Sequence, residues 1–345
     1  MAQTLTVALD WTPNTNHAGL ALAIQKGWFR DAGLDVALLS PHADGYMATP
    51  ASRLADGSAQ LALTPSESVV SWHTWPDGSK PKIRAVAALL QGGAHAIVTL
   101  KASGIDRPAK LDGRTYASYG ARYEGRIVQE MIKRDGGRGD YTESTPPMLE
   151  IWDTFLKGGA DATWVFMPWE GVLAKRAGVE LNAFLPSDFV DYGYSPVVAA
   201  HPDFLRDSPD AVRAFLAAAG RGYAHAAAHP EDAAAALCDY VEGQVSSGAW
   251  PPLAAPLDRG MVAESAATLA PHLLGPGGAW GKMDLERWSK FVAFLDAAGL
   301  LTDKVQSRGP GPAAATLDEL RAPGGGGAPV AAPAAADLAT NEFFA

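Results

Sequence analysis

Eight consecutive residues, Asp10–His17 (DWTPNTNH), gather a carboxylate, an indole, two carboxamides and an imidazole. An indole face grips a flat heteroaromatic by stacking, while amides and carboxylates read ring nitrogens and exocyclic amines. Trp11, Asn14, Asn16 and His17 supply those parts, with Asp10 beside them. A plainer use competes with this one: the asparagines cap turns and the following helix, and Trp11 packs in a core.

Three further segments carry the same kind of chemistry. In Thr163–Glu170 (TWVFMPWE), Trp164 and Phe166 share one face of an expected strand, while Trp169 and Glu170 open the next helix. Glu170 there accepts from an amino group, or simply favours the helix dipole. Tyr116–Glu124 (YASYGARYE) sets Gly120 between a strand and a helix beginning near Arg122. Backbone N–H groups at a helix start bind an anion, with Arg122 assisting; lacking a GxxxxGK-S/T or GxGxxG pattern, a plain strand-to-helix turn is the simpler account. Tyr192–Pro196 (YGYSP) is a turn in which Tyr192 or Tyr194 walls a cleft or packs a hinge. Trp72 and Trp75, flanking His73, form either a surface aromatic cluster or a site wall. There is no HExxH, GxSxG or CxxC motif, and His225 and His229, four apart on an alanine-rich helix, read as solvent-facing rather than metal-binding.

The elements that must position these residues alternate. Leu5–Asp10 reads as a strand, Ala18–Phe29 as a helix, Val36–Leu39 as a strand, Tyr46–Ala55 as a helix, Ala59–Leu63 as a strand and Pro65–Trp72 as a helix opened by Thr64, with Ser66 in its first turn. Apolar runs Ile83–Leu90 and Ala94–Leu100 follow, parted by the turn Gln91–Gly93. The alternation restarts at Arg114–Ser118 and ends at Pro196–Ala200, after which helices dominate: Pro209–Ala228, Pro230–Val241, Met261–Leu269 and Leu285–Ala297. Alternating strands and helices imply parallel sheet. Two alternating blocks crossed twice by the chain imply an α/β protein of two lobes: 1–92 with 200–307 as one, 93–199 as the other, and a ligand cleft between them. Residues 308–336, with GPGP, GGGG and APAAA, read as a linker or disordered insert, and 337–345 as a segment docking back onto the first lobe.

The 345 residues suffice for two cores, and 48% hydrophobic with 19% charged residues belongs to a globular chain. Acidic residues exceed basic ones by 38 to 28, a net charge of −10, which argues against general binding to nucleic acid or anionic membranes. With Cys238 as the single cysteine, no intrachain disulfide or cysteine-rich metal site forms. The opening MAQTLTVALDWTP lacks the features of a secretory signal, so the chain as written reads as cytoplasmic, or as periplasmic or otherwise extracytoplasmic if a leader was omitted. No run approaches the roughly 20 apolar residues of a membrane span.

DWTPNTNHAG, KGWFRDAGLDV, GGADATWVF (Gly158–Phe166), MPWEGV and RGYAHAAAHPEDAA resemble the THI5/NMT1 family, from about Leu5 to about Leu237, with LATNEFF (338–344) as a further echo. That family comprises fungal thiamine-pyrimidine synthases and bacterial binding proteins for thiamine pyrimidine precursors. The resemblance implies the periplasmic-binding-protein type II fold, two α/β lobes joined by a double hinge. The synthase branch uses a lysine for pyridoxal phosphate, a histidine four residues on, and a CCCFC motif associated with iron. Matching around Gly57–Leu63 puts Thr64 at the lysine and Ser68 at the histidine, and the region near Tyr194–Val197 has no cysteine. A Schiff base needs an amine, which Thr64 lacks.

The resemblance therefore implies the binding branch: capture of a hydroxymethyl- or formylaminomethyl-pyrimidine by hinge closure, as the substrate-binding protein of an ABC-type uptake system, without cofactor or metal. Trp11 with Trp164 or Tyr192 would stack on the ring. Asn14, Asn16 and Glu170 would read its nitrogens, and Gly120, Arg122, Tyr123 and Glu124 would line the opposite lip. The remaining candidate ligand contacts are Asp10, His17, Thr64, Ser66 and Trp169. One alternative is an enzyme of the synthase type, making hydroxymethylpyrimidine phosphate from pyridoxal phosphate and histidine, with His73, His95 or another lysine in the missing roles and iron as partner. A second is a binding protein for another small ligand, such as a sulfonate or nitrile-derived compound.

Overall fold

The computed structural model describes residues 2–307, 313–322 and 325–344. Ten strands build its two large sheets: β1 (Gln3–Ala8), β2 (Leu34–Leu39), β3 (Leu61–Thr64), β4 (Arg84–Ala88), β5 (His95–Leu100), β6 (Thr115–Ala117), β7 (Thr142–Ser144), β8 (Ala162–Phe166), β9 (Leu181–Phe184) and β10 (Val197–Ala200). The first sheet runs β2-β1-β3-β10-β4 and the second β7-β6-β8-β5-β9. The chain passes from one lobe to the other between β4 and β5 and returns between β9 and β10.

Both sheets are mixed, where the alternation implied parallel ones. β1 pairs in parallel with β2 and β3, but β10 lies antiparallel to β3 and β4. In the second sheet β6 is parallel to β7 and β8, while β5 is antiparallel to β8 and β9. The reversed strand is in each case the one that has just crossed from the other lobe. It enters its sheet from the cleft side, so it must run against strands that carry the chain toward the cleft.

Alternation along the strands divides the core. Leu5, Val7, Leu61, Leu63 and Val198 pack on one face of the first sheet with the helices Ala18–Gln25, Pro209–Ala228 and Pro230–Ser246. Ala8, Ala62 and Ala199 face the other way, into a cluster shared with Ile97, Tyr116 and Ile127 of the second lobe and with Trp288 and Phe291 of the helix Leu285–Ala297.

Local departures from the expected elements have local causes. Gly27, at φ 74°, ends the first helix and lets Trp28–Asp31 start a separate turn. Tyr46 and Met47 lie in a loop rather than a helix, and the helix there is Pro50–Ala55, capped by Thr49. Within 308–336, residues 308–312 and 323–324 lie outside the described residues. Part of the rest packs on the chain: Ala314–Ala315 pairs with Val305–Gln306, Leu317 is buried in the helix Leu317–Arg321, and Arg321 donates to the Tyr141 carbonyl. At the C-terminal end Ala339 bridges Ala85, and Phe343 is buried in the first lobe's core.

The helix Ala18–Gln25, which directly follows the DWTPNTNH loop, meets Pro209–Ala228 through glycines. A Cβ on Gly222 would run into the Gly19 carbonyl oxygen, and one on Gly19 into the Tyr223 ring. Tyr223 in turn donates to the Asn16 carbonyl at 2.8 Å, tying that contact to the loop. Gly222→Ala is expected to cost about 1–3 kcal/mol of folding stability, because the backbones must part. Urea denaturation reads this directly, and stability within experimental error of the parent would show that the helices separate freely.

Candidate functional site

The DWTPNTNH loop leaves β1 at its carboxyl end and is locked by its own side chains. Asn14 caps the 3-10 turn Thr15–His17 through its side-chain oxygen, which accepts from the Asn16 N–H at 2.9 Å. The His17 Nδ1 accepts from the Asn14 N–H at 3.1 Å, so Nε2 carries the ring proton and donates to Asp10 Oδ1 at 2.8 Å. With Asp10 and Asn14 fixed at its two ends, Trp11 is held between Tyr46, at 5.4 Å, and the edge of Tyr119, at 5.3 Å. Tyr119 comes from the second lobe, just beyond β6, so this contact crosses the cleft.

The cleft encloses about 550 Å³. Asp10, Trp11, Asn14 and Thr64 line it from the first lobe, and Gly120, Arg122, Glu124, Trp164, Trp169, Glu170 and Tyr192 from the second and the returning hinge. Trp164 and Phe166 both face it, while Val165 between them packs in a separate core. Trp164 is backed by His95 at 5.5 Å in a stacked arrangement, and burial pushes His95 down to about 3, so its ring is neutral.

Four of the expected ligand contacts lie elsewhere. Asn16 and His17 are buried behind the loop, serving the lock just described. The Ser66 hydroxyl accepts from the Tyr194 N–H at 3.1 Å and pins the return hinge. The Tyr123 hydroxyl meets Thr74 Oγ1 at 2.7 Å, in the core between the lobes. The anion reading of the Gly120 turn also changes, because its N–H groups are taken by the chain itself. Gly120 donates to the Ser118 hydroxyl, and Ala121 and Tyr119 donate to the carboxylate of Glu124. Arg122 lines the cleft, but its terminal nitrogens brace Ser71, Thr74 and Thr302 through carbonyl and hydroxyl oxygens.

The wall also holds residues outside the expected set: Tyr46, Glu67, Ser68, Ser71, Lys80 and Tyr119, together with Trp72 and Trp75. Glu67 opens the helix Ser66–His73 directly after β3, the position equivalent to the loop after β1; that shared strand-end position was the signal available for it. Tyr46 has a left-handed φ of 62°, held by its hydroxyl on the Asp10 carbonyl at 2.8 Å and by its ring on Trp11.

Three carboxyl groups on this wall are pushed up to about 7, in each case mainly by burial: Glu67, Glu124 and Glu170. They differ in what they still offer. Both Glu67 oxygens accept from the Tyr192 hydroxyl at 2.7 Å. Glu124 accepts from Tyr116, Ser118, Tyr119 and Ala121. Glu170, in the turn Met167–Gly171, accepts from the Phe166 N–H at 3.0 Å through Oε2, and its second oxygen has capacity to spare.

These two lobes with a cleft at the crossing define a periplasmic-binding-protein type II fold. A zinc-bound ligand-binding component of a Staphylococcus aureus ABC import system matches with a TM-score of 0.64 at 13% identity, over 99% of this chain and 97% of that one. The alkanesulfonate-binding protein SsuA from Xanthomonas axonopodis matches with a TM-score of 0.62 at 14% identity, over 92% and 100%. The chain belongs to the NMT1/THI5-like family, whose model matches residues 14–233. It is 26% identical to a formylaminopyrimidine-binding protein of Halalkalibacterium halodurans over 88% of both chains. It is also 25% identical to a thiamine biosynthesis protein of Haemophilus influenzae over 70% of this chain and 75% of that one.

A buried carboxyl whose pKa rises on folding binds protons more tightly in the native state, so it lowers stability as pH rises from about 4.5 to about 7. Glu170→Gln removes that slope. The stability of the variant relative to the parent is expected to grow between pH 5 and pH 8, read by denaturant unfolding at both values. An equal difference at the two pH values would place Glu170 in ordinary solvent.

Proposed function

We propose that this protein captures an aminopyrimidine precursor of thiamine, of the hydroxymethyl- or formylamino-pyrimidine type, by closing its lobes on the ring. The observation that carries this reading is the Glu170 carboxyl, buried in an aromatic-walled cleft with spare hydrogen-bonding capacity and a pKa near 7. In its protonated form, which burial favours, such a carboxyl presents one oxygen as donor and the other as acceptor. That pair matches a ring nitrogen beside an exocyclic amine. Trp11 supplies a face for stacking, and Asp10 and Asn14 supply further polar atoms.

The named relatives support the same ligand class, and the departures from the synthase pattern favour binding over chemistry. Thr64 reaches the cleft wall with a hydroxyl where a Schiff base needs an amine, and neither His73 nor His95 lines the cleft. No cofactor is required by this reading. The partner would be the permease of an ABC-type importer, which places the protein on the outer face of the membrane. Among the described residues no helix is long and apolar enough to cross a membrane.

Calorimetric titration with hydroxymethylpyrimidine and formylaminopyrimidine is expected to give reversible binding at one site per chain. Trp11→Ala is expected to weaken it at least about tenfold, the scale of one base-on-aromatic stack. Unchanged affinity would remove the stacking role. In a parallel titration with pyridoxal phosphate, an absorbance band at roughly 400–420 nm that vanishes on replacing a cleft lysine would point to imine chemistry and overturn the reading.

A further inference from the structure

Away from the hinge, the C-terminal part of the chain makes a further excursion between the lobes. Gly281 bridges Ala88 of β4 and Ala339 bridges Ala85 of the same strand, so both ends of the stretch between them are fixed to the first lobe. Its middle rests on the second lobe. The Thr302 carbonyl accepts from Arg122 at 2.7 Å, and Gln306 Nε2 donates to both oxygens of Glu143 at 2.7 and 2.6 Å. Arg321 donates to the Tyr141 carbonyl at 2.6 Å, with its guanidinium 4.2 Å from the Tyr141 ring centre, while Leu317 and Leu320 are buried on the same short helix. Val305, Gln306 and Ser307 also line the cleft.

These anchors stand well away from the crossings. Glu143 lies in β7 and Tyr141 just before it, and the sheet order β7-β6-β8-β5-β9 puts β7 at the edge opposite the strands by which the chain enters and leaves this lobe. Three strand spacings separate β7 from β5, about 14 Å at roughly 4.8 Å each. A contact that far from the point of rotation is displaced more than the hinge itself when lobes part, and a stretch held at both ends on the first lobe does not follow β7. The contacts are also incompletely satisfied. Gln306 packs its carboxamide against bare helix backbone, where a Cβ on Gly125 would lie 3.0 Å from Oε1. That Oε1, together with Arg321 Nε and Nη2, makes up three of the ten buried side-chain atoms without a hydrogen-bond partner among the described residues. Such atoms regain water on release, so the docked state carries a penalty that undocking removes.

We propose that Thr302–Ser307 and Leu317–Arg321 form a clasp, with Gln306 as its positioning residue. Docked on Glu143 and Tyr141, the clasp holds the lobes together and walls one end of the cleft; it lets go of the second lobe before an enclosed ligand leaves. The statement about ligand release rests on the aminopyrimidine reading of the cleft, and the statement about the lobes does not.

The test exchanges the two partners on the full chain. Gln306→Glu sets a second carboxylate against Glu143, and at pH 8 the like charges repel. Combining Gln306→Glu with Glu143→Gln restores one amide and one carboxylate with their sides reversed. Small-angle scattering without ligand reads the separation of the lobes, stopped-flow tryptophan fluorescence reads the dissociation of hydroxymethylpyrimidine, and thermal melting verifies that each variant folds. The single exchange is expected to shift the radius of gyration upward and to speed dissociation about tenfold, and the double exchange to return both toward the parent. An unchanged radius of gyration overturns the clasp, whatever the release rate. A larger radius with unchanged release overturns its part in retaining ligand. Effects that the double exchange leaves in place overturn the role of the Gln306–Glu143 pair, since general loss of packing would not depend on which side carries the charge. If hydroxymethylpyrimidine does not bind the parent, the aminopyrimidine reading falls, and scattering alone decides the clasp.

Discussion

The double passage of the chain between lobes is the constraint on which the rest of the structure hangs, and one side chain gathers both passes. Arg287, on the helix Leu285–Ala297, donates to the Gln91 carbonyl of the outward crossing and to the Tyr192 and Gly193 carbonyls of the return. Its guanidinium also lies 4.0 Å from the Tyr194 ring centre. Leu89 and Pro196 add a backbone hydrogen bond between the two passes, and Phe291 packs on Tyr192 one turn further along the helix. Because both crossings are held at one point, rotation of the lobes is confined to the few residues around it. Cleft walls built by strand ends on either side therefore face each other in a defined register. The reversed strand in each sheet is the visible trace of the same constraint.

The carboxyl groups of the cleft show how the fold sorts residues of one chemical type into different tasks. Glu124 spends its acceptor capacity on four donors, Tyr116 of β6 and three of the turn that follows, and shapes the lip that carries Tyr119. Glu67 is engaged on both oxygens by Tyr192 and so joins the return hinge to the helix after β3. Glu170 keeps an oxygen in reserve. All three are pushed upward by burial, so the pKa shift does not distinguish them; their hydrogen-bond partners do.

Much of this was legible in the sequence because strand periodicity and turn chemistry are local. Trp164 and Phe166 could be assigned to one face by alternation, and DWTPNTNH could be placed at the end of the first strand. What was not legible depended on contacts distant in sequence. Asn16 carries the same carboxamide as Asn14, and His17 an imidazole able to meet a ring nitrogen, but the 3-10 turn buries both behind the loop, where Tyr223, more than two hundred residues away, donates to the Asn16 carbonyl. Arg122 reads as an anion ligand until Ser71, Thr74 and Thr302 are seen to occupy its terminal nitrogens. Glu67 sits in an unremarkable SES stretch and gains its place only from the strand before it. The glycine- and proline-rich segment after Ser307 reads as a linker by composition, yet a few apolar residues such as Leu317 anchor its described part.

The lobes are tied together at the surface, across the cleft and through a shared core. Lys175 pairs with Glu264, and Arg176 with Asp258 and Glu264, linking the helix Val172–Arg176 of the second lobe to the helix Arg259–Leu269, which packs on the first lobe's core. These pairs are exposed, so salt screens them and they contribute little to holding the lobes shut. The edge contact of Trp11 with Tyr119 is a single aromatic pair. Stronger ties lie inside, where Arg122 of the second lobe donates to Ser71 and Thr74 and both lobes contribute to one apolar cluster, while the burial of Glu170 away from water opposes them. On the proposed reading, a ligand that satisfies Glu170 while covering the Trp11 face would offset that cost and add apolar contact on both walls. A ligand shifts an equilibrium between lobe arrangements only by its differential affinity for them, so on that reading the contacts it makes to both walls at once set how far the cleft closes.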